Sequence, residues 1–301
     1  MLNIIQKRKI YLTVSGILVG LSVIGFLVYG LNYGIDFTGG SLIELKFKEE
    51  PLSGVVIQDA LSGFNLKSLT AQPLGEKGVI LRSEDIDEAK HQAIIEKLAG
   101  LAKPSYKEGV FMEEIMFESV GPSMGKELKG KAVKAAILAI VFIALYIAWA
   151  FRKVSKKVPS WKYGVCAAVA LFHDVMIVVG VFVFLGKYYN MSVDMSFVAA
   201  LLTILGYSVN DTIVIFDRIR ENLFKKSGEF EEIVNSSVNE VFMRSIHASG
   251  TTFVSLIPVY LFGGDAIKGF SLALLIGLIS GTYSSIFIAS PLLVEWERKG
   301  R

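Results

Sequence analysis

The stretch GVCAAVALFHDVMIVVGVFVFL, residues 164–185, runs for 22 residues with two strongly polar side chains, His173 and Asp174, about halfway along. A helix of that length rises about 30 Å, the thickness of a bilayer's hydrocarbon core. The stretch therefore reads as a membrane-crossing helix. Five further segments read the same way: Ile10 to Gly30, Ala132 to Phe151, Ser196 to Phe216, Ser245 to Phe262 and Phe270 to Leu293. The whole chain agrees with this reading. Its 301 residues are 52% apolar and only 20% charged, and its mean hydropathy is +0.53, too hydrophobic for an ordinary soluble domain. The expected fold is an α-helical integral membrane protein with six transmembrane helices.

The basic residues set the expected orientation. With the N-terminus in the cytoplasm, the cytoplasmic segments hold Lys7, Arg8 and Lys9; Arg152, Lys153, Lys156, Lys157 and Lys162; Arg218, Arg220, Lys225 and Lys226; and Arg298, Lys299 and Arg301. Only Lys187 and Lys268 fall in the two short outer loops. The positive-inside rule then puts both termini in the cytoplasm. "KRK" at Lys7 to Lys9 looks like the start of a signal peptide, but the long span behind it lacks a small-residue cleavage site and reads as an uncleaved anchor. The expected organisation is a cytoplasmic N-terminus over 1–9 and helix one over 10–30. An extracytoplasmic domain follows over 31–131, helices two to six over 132–293, and a cytoplasmic C-terminus over 294–301.

The outer segment is long enough for a small domain. Ser41 to Lys48 alternates as a strand, and Ser53 to Gly63 reads as a short helix. "LKSLTAQPL" and "KGVILRS" are β-leaning runs joined by the turn signal "GEKG". Asp85 to Gly100 places Ile86, Ala89, Ile94 and Leu98 near one helical face and stops at its glycine, and "FMEEIMFESV" closes as a last strand. The order β-α-β-β-α-β predicts a ferredoxin-like, split βαβ α+β domain. His91 is expected on the solvated surface, since no second His or Cys lies at ligand spacing.

Polar residues inside the spans carry the functional reading. A charge at the centre of a bilayer helix costs about 2.5–3.5 kcal/mol, so such residues face a bundle interior or water and often mark ion pathways. His173 and Asp174 are one cluster, and Asn210 with Asp211, four-fifths along span four, are another. Arg244, His247, Thr251 and Ser255 in span five recur at i, i+3, i+7 and i+11, along one face. Asp211 and Arg244 fall at similar depth and are candidates for an ion pair, either a static one that fixes packing or one that titrates. Burial disfavours the charged carboxylate and a nearby cation favours it, so small movements load or unload a proton. Asp217, Arg218, Arg220 and Glu221 read as an interfacial cluster, and Cys166 as a small packing residue. Gly16 with Gly20, and Gly277 with Gly281, are candidate sites of close helix approach.

Phe230, Ile233, Val234, Ser237, Val238, Val241 and Phe242 recur at helical spacing opposite Glu229, Glu231, Glu232, Asn235, Asn239 and Glu240. A cytoplasmic amphipathic helix near 229–242 is therefore expected. Its acidic face disfavours anionic lipid and favours packing under the bundle or against another protein. No nucleophile, base and orienting residue recur in any motif, and no phosphate loop, metal spacing or basic patch interleaved with aromatics is present. The sequence thus points away from an enzyme, from a metal or cofactor, and from nucleic acid.

Two stretches then resemble a known family. "NYGIDFTGGSLIELKF" (Asn32 to Phe47), with Asp36, Gly39 and Gly40, and "GYSVNDTIVIFDRIREN" (Gly206 to Asn222), with Asp217 and Arg218, look like the signatures of the SecD/SecF protein-export family of the resistance-nodulation-division superfamily. The resemblance covers the whole chain, including the "HDV" of span three, and the size of the outer domain favours the SecF branch. It implies a bacterial inner-membrane protein that works with SecD beside the SecY channel, and indirectly with the SecA ATPase. Such a protein uses the proton-motive force to assist an unfolded polypeptide on the outer side. It also implies a proton path through Asp211 and Arg244, with Asn210 beside them and Asp174, His173 and Thr251 as secondary candidates. The family runs Arg-Thr-x-x-Thr-Ser-x-Thr-Thr at that arginine, whereas this chain reads "RSIHASGTT", so which hydroxyls line the path stays open, and His247 gains no relay role. Two other readings are an exporter subunit for small molecules or lipids, and a non-conducting scaffold of the translocase.

Overall fold

A computed structural model of the chain describes residues 2–48, 51–102, 112–152 and 158–299. Of the expected cytoplasmic cations, Lys153, Lys156, Lys157 and Arg301 lie outside the described residues, as does Phe111 of the last strand. The chain divides into two compact units, one of Tyr33–Lys131 and one of Met1–Asn32 with Ala132–Arg301.

Helix α1 (Arg8–Tyr29) ends at Gly30, whose φ of +67° suits a residue without Cβ. The smaller unit then opens with a single turn, α2 (Ile35–Thr38), which contains Asp36. Next come β1 (Gly40–Phe47), α3 (Gly54–Leu61), β2 (Thr70–Leu74), β3 (Gly78–Ser83), α4 (Glu88–Ala102) and β4 (Met112–Val120). Ser53 Oγ caps α3 by accepting from Val56 N, and Asp87 Oδ1 caps α4 by accepting from Lys90 N at 2.8 Å. The four strands form one antiparallel sheet in the order β2-β3-β1-β4. Ile43, Leu45 and Phe47 of β1 with Val79 and Leu81 of β3 bury one face against Ile57 and Leu61 of α3 and Ile94 and Leu98 of α4.

Two glycines fix the start of this sheet. Gly39 and Gly40 have φ of +75° and +123°. A Cβ on Gly39 would lie 2.7 Å from Pro122 Cα, and one on Gly40 would lie 2.5 Å from the Ser83 carbonyl oxygen. Both the backbone conformation and the close approach exclude larger residues.

Helix α4 departs from expectation. It starts at Glu88 rather than Asp85 and runs through Gly100 to Ala102, so Ile86 is buried just ahead of it and Ala89 faces solvent. His91 is not solvated: it is 4% exposed, its ring stacks on Phe117 at 3.9 Å, and its Nε2 hydrogen-bonds Glu114 Oε1 at 2.9 Å. The cause is a bulge. Leu45 pairs with Glu114 but Glu44 with Met116, so Ile115 is skipped and Glu114 turns to the helix-covered side where His91 meets it.

Helix α5 (Pro122–Ala150) belongs to the other unit from Ala132 onward, and that unit continues with α6 (Ser160–Tyr189), α7 (Met195–Lys225), α8 (Phe230–Phe262) and α9 (Asp265–Ser284). A π-helical turn (Ser285–Ala289) and α10 (Ser290–Lys299) complete the last span. Six helices are long and apolar enough to cross a membrane, so the chain is a multi-pass membrane protein. The expected amphipathic helix and span five form one continuous helix, α8, because no glycine or proline interrupts residues 230–249. Its apolar face, Ile233, Val234, Val238 and Val241, packs into a core with Ile215, Phe216, Ile219 and Leu223 of α7 and with Ile4 and Ile5. Ile4 and Ile5 are held there by their N–H groups, which donate to Asn235 Oδ1 at 3.0 and 3.1 Å. Arg8, also buried, bridges Glu231 and Glu295. Cys166 is fully buried in this core. Gly277 and Gly281 do allow close approach: a Cβ on Gly281 would stand 2.8 Å from Ser208 Cβ, and one on Gly277 would clash with Ile204. Gly16 and Gly20 do not, since nothing lies within 4 Å of a Cβ on either.

Candidate functional site

Asp211 is 4% exposed, on the side of α7 that faces the bundle. Its Oδ2 accepts from Ser249 Oγ at 3.3 Å, and Ser249 Oγ accepts from Thr282 Oγ1 at 2.5 Å. The expected Asp211–Arg244 ion pair is not formed: among the described residues no cation lies within 4 Å of Asp211, whose Oδ2 meets Ser249 instead. Helix phase explains the difference. Ser245 and Ser249, four apart, present buried hydroxyls toward α7, whereas Arg244, His247, Thr251 and Ser255 lie on the face that this chain leaves exposed. Asn210 is exposed as well, and Thr251 Oγ1 donates only to the Ala248 carbonyl of its own helix, at 2.9 Å. Tyr207 ties the two helices together, donating to the Ala248 carbonyl at 2.9 Å.

The second candidate cluster is the more enclosed. Asp174 has no exposed surface and accepts from three serines on two other helices: Ser208 at 2.6 Å, Ser280 at 2.8 Å and Ser284 at 2.8 Å. The adjacent His173 places Nδ1 3.1 Å from Asp174 Oδ1 and its ring 6.0 Å from that of Tyr283. Tyr283 is itself tethered to α1 by Ser15. His173 Nε2 is buried and makes no hydrogen bond among the described residues.

The last span joins the two clusters. Ser280 and Ser284 reach Asp174, Thr282 reaches Ser249 and so Asp211, and Ser285 shares a 2.7 Å hydrogen bond with Thr212 of α7. Sequence reasoning missed these partners. The signal was "SGTYSS", residues 280–285, a run of hydroxyls in what proves the most buried of the six spans. The remaining motif residues lie apart. Asp217 pairs with Arg220 at 2.9 Å, and Arg218 bridges Glu221 and Glu240 near the end of α7, all of them half-exposed. Asp36, Gly39 and Gly40 belong to the unit of Tyr33–Lys131.

Comparison with known proteins gives this arrangement a relationship. Residues 103–299 match the family model of the SecD/SecF protein export membrane protein C-terminal region, and residues 24–50 match the SecD/SecF GG motif. The chain belongs to the SecD/SecF family. It is 42% identical to the protein translocase subunit SecF of Thermobaculum terrenum, over 99% of this chain and 95% of that one. It is also 35% identical to the protein translocase subunit SecDF of Brucella abortus, over 98% of this chain but 37% of the relative. Among solved structures it resembles SecDF of Thermus thermophilus, described as a translocon-associated membrane protein, with a TM-score of 0.82 and 30% identity over 100% of this chain and 39% of that one. The Gly39–Gly40 pair thus falls within the region that names the GG motif, and its steric role is the one described above.

Proposed function

We propose that this chain serves as the SecF subunit of a bacterial inner-membrane SecDF complex, with both termini in the cytoplasm, and couples the proton-motive force to protein translocation. Its SecD partner and this chain work beside the SecY channel while the SecA ATPase drives the polypeptide from the cytoplasm. The outer unit, read as a ferredoxin-like split βαβ domain, engages SecD or the emerging chain. The observation that carries the reading is the division of labour between two faces. Asp211 is buried behind Ser249 without a paired cation, while Asn210, Arg244, His247 and Thr251 form an uncovered polar stripe within membrane helices. Such a stripe is costly against lipid, which favours another membrane protein as its cover. SecDF relatives, whose single chain is more than twice as long, support SecD as that cover.

The test uses two variants. Asp211→Asn keeps shape and hydrogen bonding but does not titrate near neutral pH. Arg244→Met removes the charge from the exposed stripe and keeps an unbranched side chain there. In proteoliposomes with SecD, the channel and SecA, both variants should insert and assemble. They should retain ATP-driven translocation and lose the stimulation given by a proton gradient. Wild-type stimulation in Asp211→Asn would refute the proton-coupling role and leave a static packing role.

A further inference from the structure

An apolar groove between α8 and the last span lies outside the proton-coupling reading. It has a volume of about 400 Å³ and is walled by Ile246, Gly250 and Phe253 of α8 and by Leu278, Ile279 and Phe287 opposite. Ile246 and Ile279 are 41% and 58% exposed, so the groove opens outward from the bundle. Ser249, Thr282 and Tyr283 also line it, but each of their hydroxyls is already hydrogen-bonded within the protein, to Asp211, Ser249 and Ser15. The wall therefore offers a ligand apolar surface and little else. The geometry points to one acyl chain of an anionic glycerophospholipid as the occupant, with the lipid phosphate at Lys7. This rests on the orientation proposed above, which puts Lys7 at the inner leaflet.

Charge complementarity selects the headgroup. At the cytoplasmic end of the groove Phe287 meets Tyr11 of α1, with ring centroids 4.7 Å apart. Lys7 precedes Tyr11 by four residues, one helical turn on the same side. It is exposed and pairs with no carboxylate among the described residues. A cation so placed attracts the anionic lipids of a cytoplasmic leaflet. Size selects the chain. A helix about 10 Å wide takes up about 400 Å³ in a single turn of about 5.4 Å, so the groove suits a slender hydrocarbon chain better than a transmembrane helix. Nor does the stripe assigned to SecD reach it: at about 100° per residue, Arg244, Thr251 and Ser255 stand on the far side of α8 from Ile246, Gly250 and Phe253. Ser249 and Thr282, which hold Asp211, form part of the groove wall. An acyl chain lying over them keeps water from competing for their hydrogen bonds.

Gly250 supplies the decisive variant, because a Cβ added there meets no atom within 4 Å and projects into open groove. The full chain, purified in detergent and stripped of lipid, is given phosphatidylglycerol or phosphatidylcholine and weighed by native mass spectrometry. Wild type should retain one phosphatidylglycerol under conditions that remove phosphatidylcholine. Gly250→Leu fills the groove and should lose that lipid. Gly20→Leu, an equal addition into open space on α1, should keep it. Lys7→Gln should weaken retention of phosphatidylglycerol about fivefold, as expected for one cation near an anionic surface, and leave phosphatidylcholine unchanged. Equal retention by Gly250→Leu and Gly20→Leu overturns the site, and equal retention of the two lipids by wild type overturns the headgroup assignment. A dimer that Gly250→Leu dissolves would make a second copy the occupant, and loss of the lipid on adding SecD would make it a SecD helix; either result overturns the proposal. No readout here uses a proton gradient, so this inference and the proposed function fail separately.

Discussion

Replacing Gly281 by alanine places one methyl group at a close crossing of α9 and α7, and its cost can be worked from the geometry. The new Cβ would lie 2.8 Å from Ser208 Cβ and 3.0 Å from its Oγ. Carbon atoms pack at about 3.5–4.0 Å, so α9 and α7 must part by about 1 Å. Overpacking of this kind costs about 1–3 kcal/mol. The same displacement stretches the 2.7 Å hydrogen bond between Thr212 of α7 and Ser285 of the last span, at about 0.6 kcal/mol inside a membrane. Against this stands a gain of up to about 1 kcal/mol from the better helix propensity of alanine. Gly281→Ala should therefore lose about 1–3 kcal/mol in reversible unfolding from mixed micelles. Gly16→Ala and Gly20→Ala, with nothing within 4 Å of the added carbon, should be neutral or slightly stabilised. Adding Ser208→Gly to Gly281→Ala should recover part of the loss, because it removes the atom struck, whereas Ser208→Ala should recover none. Equal stability of Gly281→Ala and Gly16→Ala would refute the packing argument.

Three more outcomes are expected. In the smaller unit, Gly39→Ala combines a φ of +75° with a contact 2.7 Å from Pro122 and should cost about 1–3 kcal/mol, seen as a lowered melting temperature; an unchanged one would count against the strained turn. Glu88 is held below the ordinary glutamate range by the Gln92 side chain, which donates to it at 2.7 Å, and then by His91. A depressed carboxyl pKa contributes stability above the ordinary range and loses it as pH falls through the folded value, so a carbon-detected titration of Gln92→Ala should show Glu88 moving back up. A reporter enzyme active only outside the cytoplasm should work when fused after Gly186 or Gly264 and stay silent after Lys226; the reverse pattern would overturn the orientation.

The six spans were legible because a bilayer demands long apolar runs, and Ile43, Leu45 and Phe47 showed the sheet face by simple alternation. What was not legible depended on a single residue of phase. The skipped Ile115 brings Glu114 under α4 and buries His91, although no spacing in the strand announces a bulge. In span five the polar periodicity of Arg244, His247, Thr251 and Ser255 was real, but it marked the uncovered face, and the helix meets Asp211 with Ser245 and Ser249. Asp174 was seen, yet its serine shell was not, because a hydroxyl in an apolar helix bonds its own backbone as readily as a neighbour.

The π-helical turn at Ser285–Ala289 gives the last span a mechanical character. One residue beyond the α-helical count advances the chain by about 100° of rotation, and Ser290 Oγ reaches back to the Ser285 carbonyl at 3.4 Å across the widened loop. The serines before the turn are aimed at α6, while Leu293 and Val294 after it are buried in the core that holds Phe216 and Val234. The span thus resembles two cams keyed at different azimuths on a single shaft, with a compliant collar between them. Torque applied to the upper cam can be absorbed in the collar, so its hydroxyls can change partners while the lower cam stays seated.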